Sequence, residues 1–214
     1  NFLGKVLDNY ENPYLAVIGG AKVSTKLELL THINKAAENI LVGGGIANTF
    51  ICAAGYKVGM SLIEDSMIDS AKKILDEGKI LLPKKVVTSD SFEGSNVKEK
   101  YIADIEDHEM ILDLKIENET HTIINSAKTI LWNGPMGVFE NELFEEGTKT
   151  LSQAISKSSA FSIAGGGETL SAINKYINID DVSYCSTGGG AFLEFMEGKT
   201  LPSIKALNAK NTEE

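Results

Sequence analysis

Apolar residues fall along this chain in two alternating rhythms. Compact runs of four or five, such as Tyr14–Ile18 (YLAVI), Asn39–Val42 (NILV) and Met110–Leu114 (MILDL), are bounded by glycine or polar residues and predict buried strands. Between them, apolar positions recur every three to four residues and predict helices. One covers 24–35, with Leu27, Leu30 and Ile33 on a stripe; a second runs through Ala47, Phe50 and Ile51. A third covers 64–77, with Met67, Ile68, Ala71, Ile74 and Leu75 in register and Gly78 as its stop. A short amphipathic helix is expected over 1–11, closed by Pro13. A further strand lies within 81–89, at VVTS, and 90–109 reads as a polar surface excursion with a short strand at 100–103. Then the pattern becomes regular: helix 119–127, strand 129–132, helix 145–157, strand 160–164, helix 168–176, strand 182–186, helix 190–196. This alternation predicts an α/β fold, a doubly wound Rossmann-like parallel sheet in a three-layer αβα arrangement.

Five of the strand runs end on glycine: LAVIGGAK at 15–22, ILVGGG at 40–45, TILWNGPMG at 129–137, AFSIAGGGETL at 160–170 and YCSTGGGA at 184–191. These junctions hold thirteen of the twenty glycines. In a parallel sheet they collect on the carboxyl edge, where open α/β sheets bind ligands. Glycine lets a ligand approach the backbone. The helix that follows offers unpaired amides and the positive end of its dipole to an anion. A ligand carrying phosphate is the common cause that explains all five. A Walker loop is absent: Gly198-Lys199-Thr200 supplies its tail, but Leu193 stands where the first glycine belongs. No strand ends on G-x-G-x-x-G, which leaves a hydride-transferring dehydrogenase without its main support.

Net charge is -10, which argues against a nucleic-acid scaffold. All twenty basic residues are lysines, so the bidentate phosphate grip of arginine is missing. Cys52 and Cys185 sit in apolar segments without metal-type spacing and read as reduced thiols. The chain opens on no signal peptide and has no apolar run of bilayer length, so a cytoplasmic protein without a membrane partner is expected.

Four charged positions carry information. Lys22 and Lys26, if helical, lie four apart at a helix start, where like charges repel and oppose the dipole. They are either solvated surface lysines or a pair that holds an anion. Glu168 follows three glycines; it is a favourable first-turn acid, or, beside a phosphate, a Mg²⁺ ligand. Glu140, just past the apolar loop of Trp132 and Phe139, could accept hydrogen bonds from sugar hydroxyls. His32, His108 and His121 form no pattern.

The ordered segments GGAKVSTK, LVGGGIANTF, TILWNGPMGVFE, FSIAGGGET and STGGGAFLEFMEGKTLP resemble the C-terminal half of the phosphoglycerate kinase family. The resemblance implies one nucleotide-binding domain of a normally two-domain enzyme. That enzyme transfers a phosphoryl group between 1,3-bisphosphoglycerate and ADP, giving 3-phosphoglycerate and ATP in glycolysis, with Mg²⁺. It implies an interdomain helix at 1–13, a nucleotide-binding domain at 14–200 and a tail at 201–214 that returns toward the other domain. By the same likeness Lys26 reaches the nucleotide phosphates and Lys22 neutralises the transferring group. Gly20, Gly44, Gly45, Leu62, Leu112, Gly137 and Val138 wall the adenine pocket, Asn133 lies near ribose and phosphates, and Glu140 holds the ribose. Gly166, Gly167, Glu168 and Thr169 surround the β-phosphate and the metal, with Glu168 as ligand. Gly188, Gly189 and Gly190 present amides to the phosphoryl group, Gly190 with a catalytic part. The sequence departs from the family at Glu168, usually aspartate, and at Lys115, where a glycine is usual after Asp113. The glycerate-binding domain is expected outside this sequence. The chain is therefore expected to act as a monomer that binds ADP or ATP and is inactive alone. A free-standing nucleotide-binding module is the alternative.

Overall fold

The computed structural model describes residues 10–197. The expected helix over 1–11, but for its last two residues, and the tail at 201–214 fall outside them. Among the described residues nine strands run in chain order: β1 (Tyr14–Ile18), β2 (Asn39–Val42), β3 (Ile80–Leu81), β4 (Lys85–Ser89), β5 (Lys98–Tyr101), β6 (Met110–Leu114), β7 (Thr129–Asn133), β8 (Phe161–Gly165) and β9 (Tyr184–Ser186). The helices are α1 (Leu27–Ala36), α2 (Gly44–Ala53), α3 (Ile68–Leu75), α4 (Asn118–Ser126), α5 (Glu146–Lys157), α6 (Gly167–Tyr176) and α7 (Gly189–Met196). Short 3₁₀ turns lead into α1 and α3 at Ser24–Lys26 and Asp65–Met67.

Six strands form one parallel sheet in the order β3-β2-β1-β7-β8-β9. All five residues of β1 and of β7 are buried, as expected of parallel strands covered on both faces. Trp132 is among the largest fully buried side chains. Helices α4, α5 and α6 pack in series, while α1 packs against α7 and β1.

One expectation is corrected. Not every strand joins the parallel sheet: β5-β4-β6 form a separate antiparallel sheet. VVTS does lie in a strand, but β4 pairs with β6, with a bulge between Val87 and Thr88. This sheet has its own small core of Val87, Met110, Leu112 and Phe144, with Val138 packed against it. The fold class stands, with this addition.

Register decides where the glycines go. Ile18 pairs with Val42 and with Asn133, Trp132 with Ala164, and Gly165 with Ser186. The last residues of β2, β1, β7, β8 and β9 therefore lie on one edge, and a glycine-containing turn leaves each. The strand order reverses between β1 and β7, the switch point at which such sheets bind ligands.

Candidate nucleotide-binding site

Two cavities meet at that edge. The first, about 220 Å³, is apolar and is walled by Gly20, Ala21, Gly44 and Gly45 on one side and by Leu112, Asp113, Gly137 and Val138 on the other. Leu62, Phe92 and Glu140 stand at it too. The second, about 320 Å³, is lined by Lys26, Asn133, Gly134, Gly166, Gly167, Thr169 and Gly189. Glu168 borders both.

The antiparallel sheet supplies one wall of the apolar cavity. β6 runs Met110 to Leu114 along it, and the core of Val87, Met110 and Phe144 backs Leu112 and Val138. Asp113, buried on the same strand, accepts a hydrogen bond at Oδ2 from the Gly147 amide (2.8 Å) in the first turn of α5. Burial pushes its carboxyl up to about 7, against the amides of Gly147 and Leu114.

The polar cavity is built around a partly buried ammonium. Lys26 donates to Asn133 Oδ1, and Asn133 Nδ2 donates to the Gly165 carbonyl at 2.7 Å. The Gly134 amide donates to Thr169 Oγ1 at 2.8 Å. Side chains from the 3₁₀ turn before α1, from β7 and from α6 thus interlock beneath the edge. Burial pushes the Lys26 ammonium down to about 8, opposed by the attraction of Glu168 and Glu197. Two helix N-termini face this cavity, α6 with Gly167 and α7 with Gly189. The turn into α6 requires Gly166, whose φ is +97°.

The glycines divide into two kinds. A side chain at Gly19 would put its Cβ 2.1 Å from the Pro135 carbonyl oxygen, so here glycine serves contact between two loops of the chain itself. Gly167, Gly189 and Gly190 have nothing within 4 Å of that position and face open space. Contact within the chain is enough to explain the first kind, while the second leaves space beside the backbone.

The residues expected around a nucleotide converge, with three exceptions. Gly20, Gly44, Gly45, Leu62, Leu112, Gly137, Val138 and Glu140 share the apolar cavity. Lys26, Asn133, Gly166, Gly167, Thr169 and Gly189 share the polar one, and Glu168 lies in both. Lys22 lines neither cavity; it is exposed and precedes the helix, so it does not share a helical face with Lys26. Gly188 and Gly190 flank Gly189 without lining the cavity. The start of α1 is also taken: Glu64 accepts from the Ser24 amide at 2.9 Å and from its hydroxyl. Those two hydrogen bonds, with the charge of Lys22, hold the Glu64 carboxyl below its usual range. Phe92, Asn48, Asp113 and Met136 line the apolar cavity and were missed. Phe92 lies in the aperiodic excursion, and Asn48 in a helix whose apolar pattern masks it.

The sequence profile described as phosphoglycerate kinase matches residues 1–199. A phosphoglycerate kinase of Psychrobacter sp. (strain PRwf-1) is 51% identical over 223 aligned positions, covering 98% of this chain and 56% of the relative. That of Vibrio campbellii (strain ATCC BAA-1116) is 50% identical over 211, covering 97% and 55%. The structure of phosphoglycerate kinase from Coxiella burnetii matches with a TM-score of 0.92 at 43% identity, over 97% of this chain and 56% of that one. The enzyme from Pyrococcus horikoshii OT3 matches at 0.81 and 32%, over 97% and 54%. The chain spans about half the length of the relatives it matches. Likeness over nearly its whole length, in fold as in sequence, shows that it belongs to the phosphoglycerate kinase family.

Proposed function

We propose that this chain is the adenine-nucleotide half of a phosphoglycerate kinase, which moves a phosphoryl group between 1,3-bisphosphoglycerate and ADP, giving 3-phosphoglycerate and ATP. The observation that carries this reading is the join of an apolar cavity to a polar one at Glu168, with the Lys26 ammonium in the polar one. The apolar cavity takes the base, Glu140 the ribose, and Lys26 with the first amides of α6 the phosphates. Phosphoryl transfer asks the protein for positioning and charge neutralisation more than for covalent chemistry, and lysine and amides suit that need. Lys22, Gly188 and Gly190 we assign to the transferring group, at the rim where a second domain carrying the glycerate would close.

Mg²⁺ fits the residues present. An exposed carboxylate beside the phosphate cavity matches an ion that takes one or two carboxylates and completes its shell with phosphate oxygens and water. Glu168 would hold it, and the ion would neutralise phosphate charge. We further read the protein as a cytoplasmic monomer of glycolysis without nucleic-acid or membrane partners. Its charge of -10 fits that reading, and no helix among the described residues is long and apolar enough to cross a membrane.

Calorimetric titration with Mg-ADP tests the site. Binding is expected in wild type, strongly weakened in Lys26→Ala and unchanged in Lys57→Ala, an exposed lysine paired with Asp107. Equal losses in both variants, or no binding at millimolar ADP, would reject the reading. A coupled assay is expected to find little or no turnover by this chain alone.

A further inference from the structure

Glu140 reaches the apolar cavity from the loop that follows β7, and its side chain is exposed. An exposed carboxylate loses rotamer freedom when it engages a ligand, so it acts well only if its backbone is already held. The residues around it are held. Val138 donates its amide to the Leu112 carbonyl at 2.9 Å, and Asn141 Nδ2 donates to the Phe92 carbonyl at 3.0 Å. The Phe139 ring is buried and meets the Tyr176 ring edge-on, 6.4 Å between centroids.

A further hold comes from a residue that lines neither cavity. Lys175, in the last turn of α6, donates from Nζ to the Phe139 carbonyl at 2.9 Å. The same ammonium lies 2.8 Å from Oε2 of Glu145, the residue just before α5. The Tyr176 hydroxyl donates to that oxygen at 2.9 Å. Glu145 therefore aims the ammonium. Tying α5 to α6 would need only these three side chains; the bond to Phe139 brings the loop in as well. The Phe139 carbonyl and the Glu140 amide belong to one planar peptide unit, so fixing the carbonyl sets the direction in which Glu140 leaves the loop.

We propose that Lys175 is a positioning residue for the ribose: through the Phe139 carbonyl it holds the Glu140 carboxylate where two neighbouring sugar hydroxyls can donate to it. This rests on the reading of Glu140 as the ribose-binding group. Lys175 itself does not touch the ligand. Helix α6 then serves both parts of a nucleotide, with its first amides toward the phosphates and its last turn bracing the ribose loop.

Calorimetric titration with the Mg²⁺ complexes of ADP and 2′,3′-dideoxy-ADP tests this, because the second lacks the hydroxyls that Glu140 would hold. Wild type is expected to prefer ADP by about tenfold, the scale of hydrogen bonds to a charged group. In Lys175→Met that preference should shrink to about threefold or less, with dideoxy-ADP bound within about twofold of wild type. Glu145→Gln, which weakens the aim of the ammonium, should shrink it in the same direction. A preference left at its wild-type value in both variants overturns the inference. So does a loss of affinity for both ligands by the same factor, which would make the cluster a general brace for the fold. Equal affinity of wild type for the two ligands would instead remove the ribose role of Glu140, and the inference with it.

Discussion

Replacing Lys26 with methionine should make the unliganded protein more stable and abolish its use of phosphate. Methionine keeps the length and apolar stem of lysine and removes the charge. In the folded protein burial lowers the Lys26 pKa from 10.5 to about 8. At about 1.4 kcal/mol per unit the charged form is disfavoured by roughly 3 kcal/mol. Partial solvent contact reduces this to about 2 kcal/mol. Removing the lysine also leaves Asn133 Oδ1 without its donor, which costs about 1 kcal/mol or more. At pH 7 the variant should therefore gain no more than about 1 kcal/mol. The cleaner signal is its pH dependence. Between pH 8 and 10.5 the unfolded chain holds the Lys26 proton and the folded one has released it, so wild-type stability rises with pH in that window. Methionine lacks this contribution, so its advantage over wild type should fall by about 2 kcal/mol between pH 7 and pH 10. Urea unfolding followed by the fluorescence of Trp132, the single tryptophan and fully buried, reads both proteins. Other titrating groups cancel in the difference. A gap that stays constant across that range would refute the claim that burial holds the ammonium in a disfavoured state. In wild type, ADP affinity should weaken above pH 8, where the ammonium is lost.

Three further expectations follow from the same structure. Asp113→Asn should flatten stability between pH 4 and 7: the wild-type carboxyl, raised from 3.8 to about 7, takes up a proton on folding, so wild-type stability falls as pH rises through that window. Thermal melts at pH 5 and 8 should show the variant ahead only at the higher value, by roughly 2–4 kcal/mol. Gly19→Ala should destabilise by about 1–3 kcal/mol or more, because its Cβ would overlap the Pro135 carbonyl, whereas Gly167→Ala should cost less than about 1 kcal/mol. Denaturant midpoints separate the two, and equal losses would undo the division of the glycines. Glu64→Gln should lower stability only slightly, since the Ser24 contact is exposed, and melting curves at pH 7 would show it.

Elements set by local period were legible from sequence. Asn39–Val42 and Met110–Leu114 were found to the residue because each is a compact, mostly apolar run bounded by glycine or polar residues. The partnering of strands was less so. Lys85–Ser89 reads as a strand, but its place beside Met110–Leu114 depends on pairing across the chain that no local rhythm encodes. Lys98–Tyr101 shows no buried residue and so no alternation to read. In the site, Lys26 was found because its motif carries it. The capture of the Ser24 amide by Glu64, forty residues away, has no local signature. Asn48 was hidden for a related reason: in a helix buried nearly all round, one amide does not break the pattern.

The two cavities are made of different material. The polar one is framed largely by main chain at the rim of the large sheet, where loops touch so closely that a side chain at Gly19 would not fit. The apolar one borrows a wall of ordinary side chains from the appended three-stranded sheet. Amino-acid replacement can reshape that wall and, under the proposed nucleotide reading, the choice of base, without touching the residues assigned to the phosphates. On that reading a lineage could exchange one nucleotide currency for another by editing Met110–Leu114 and the excursion around Phe92, leaving the glycine scaffold untouched.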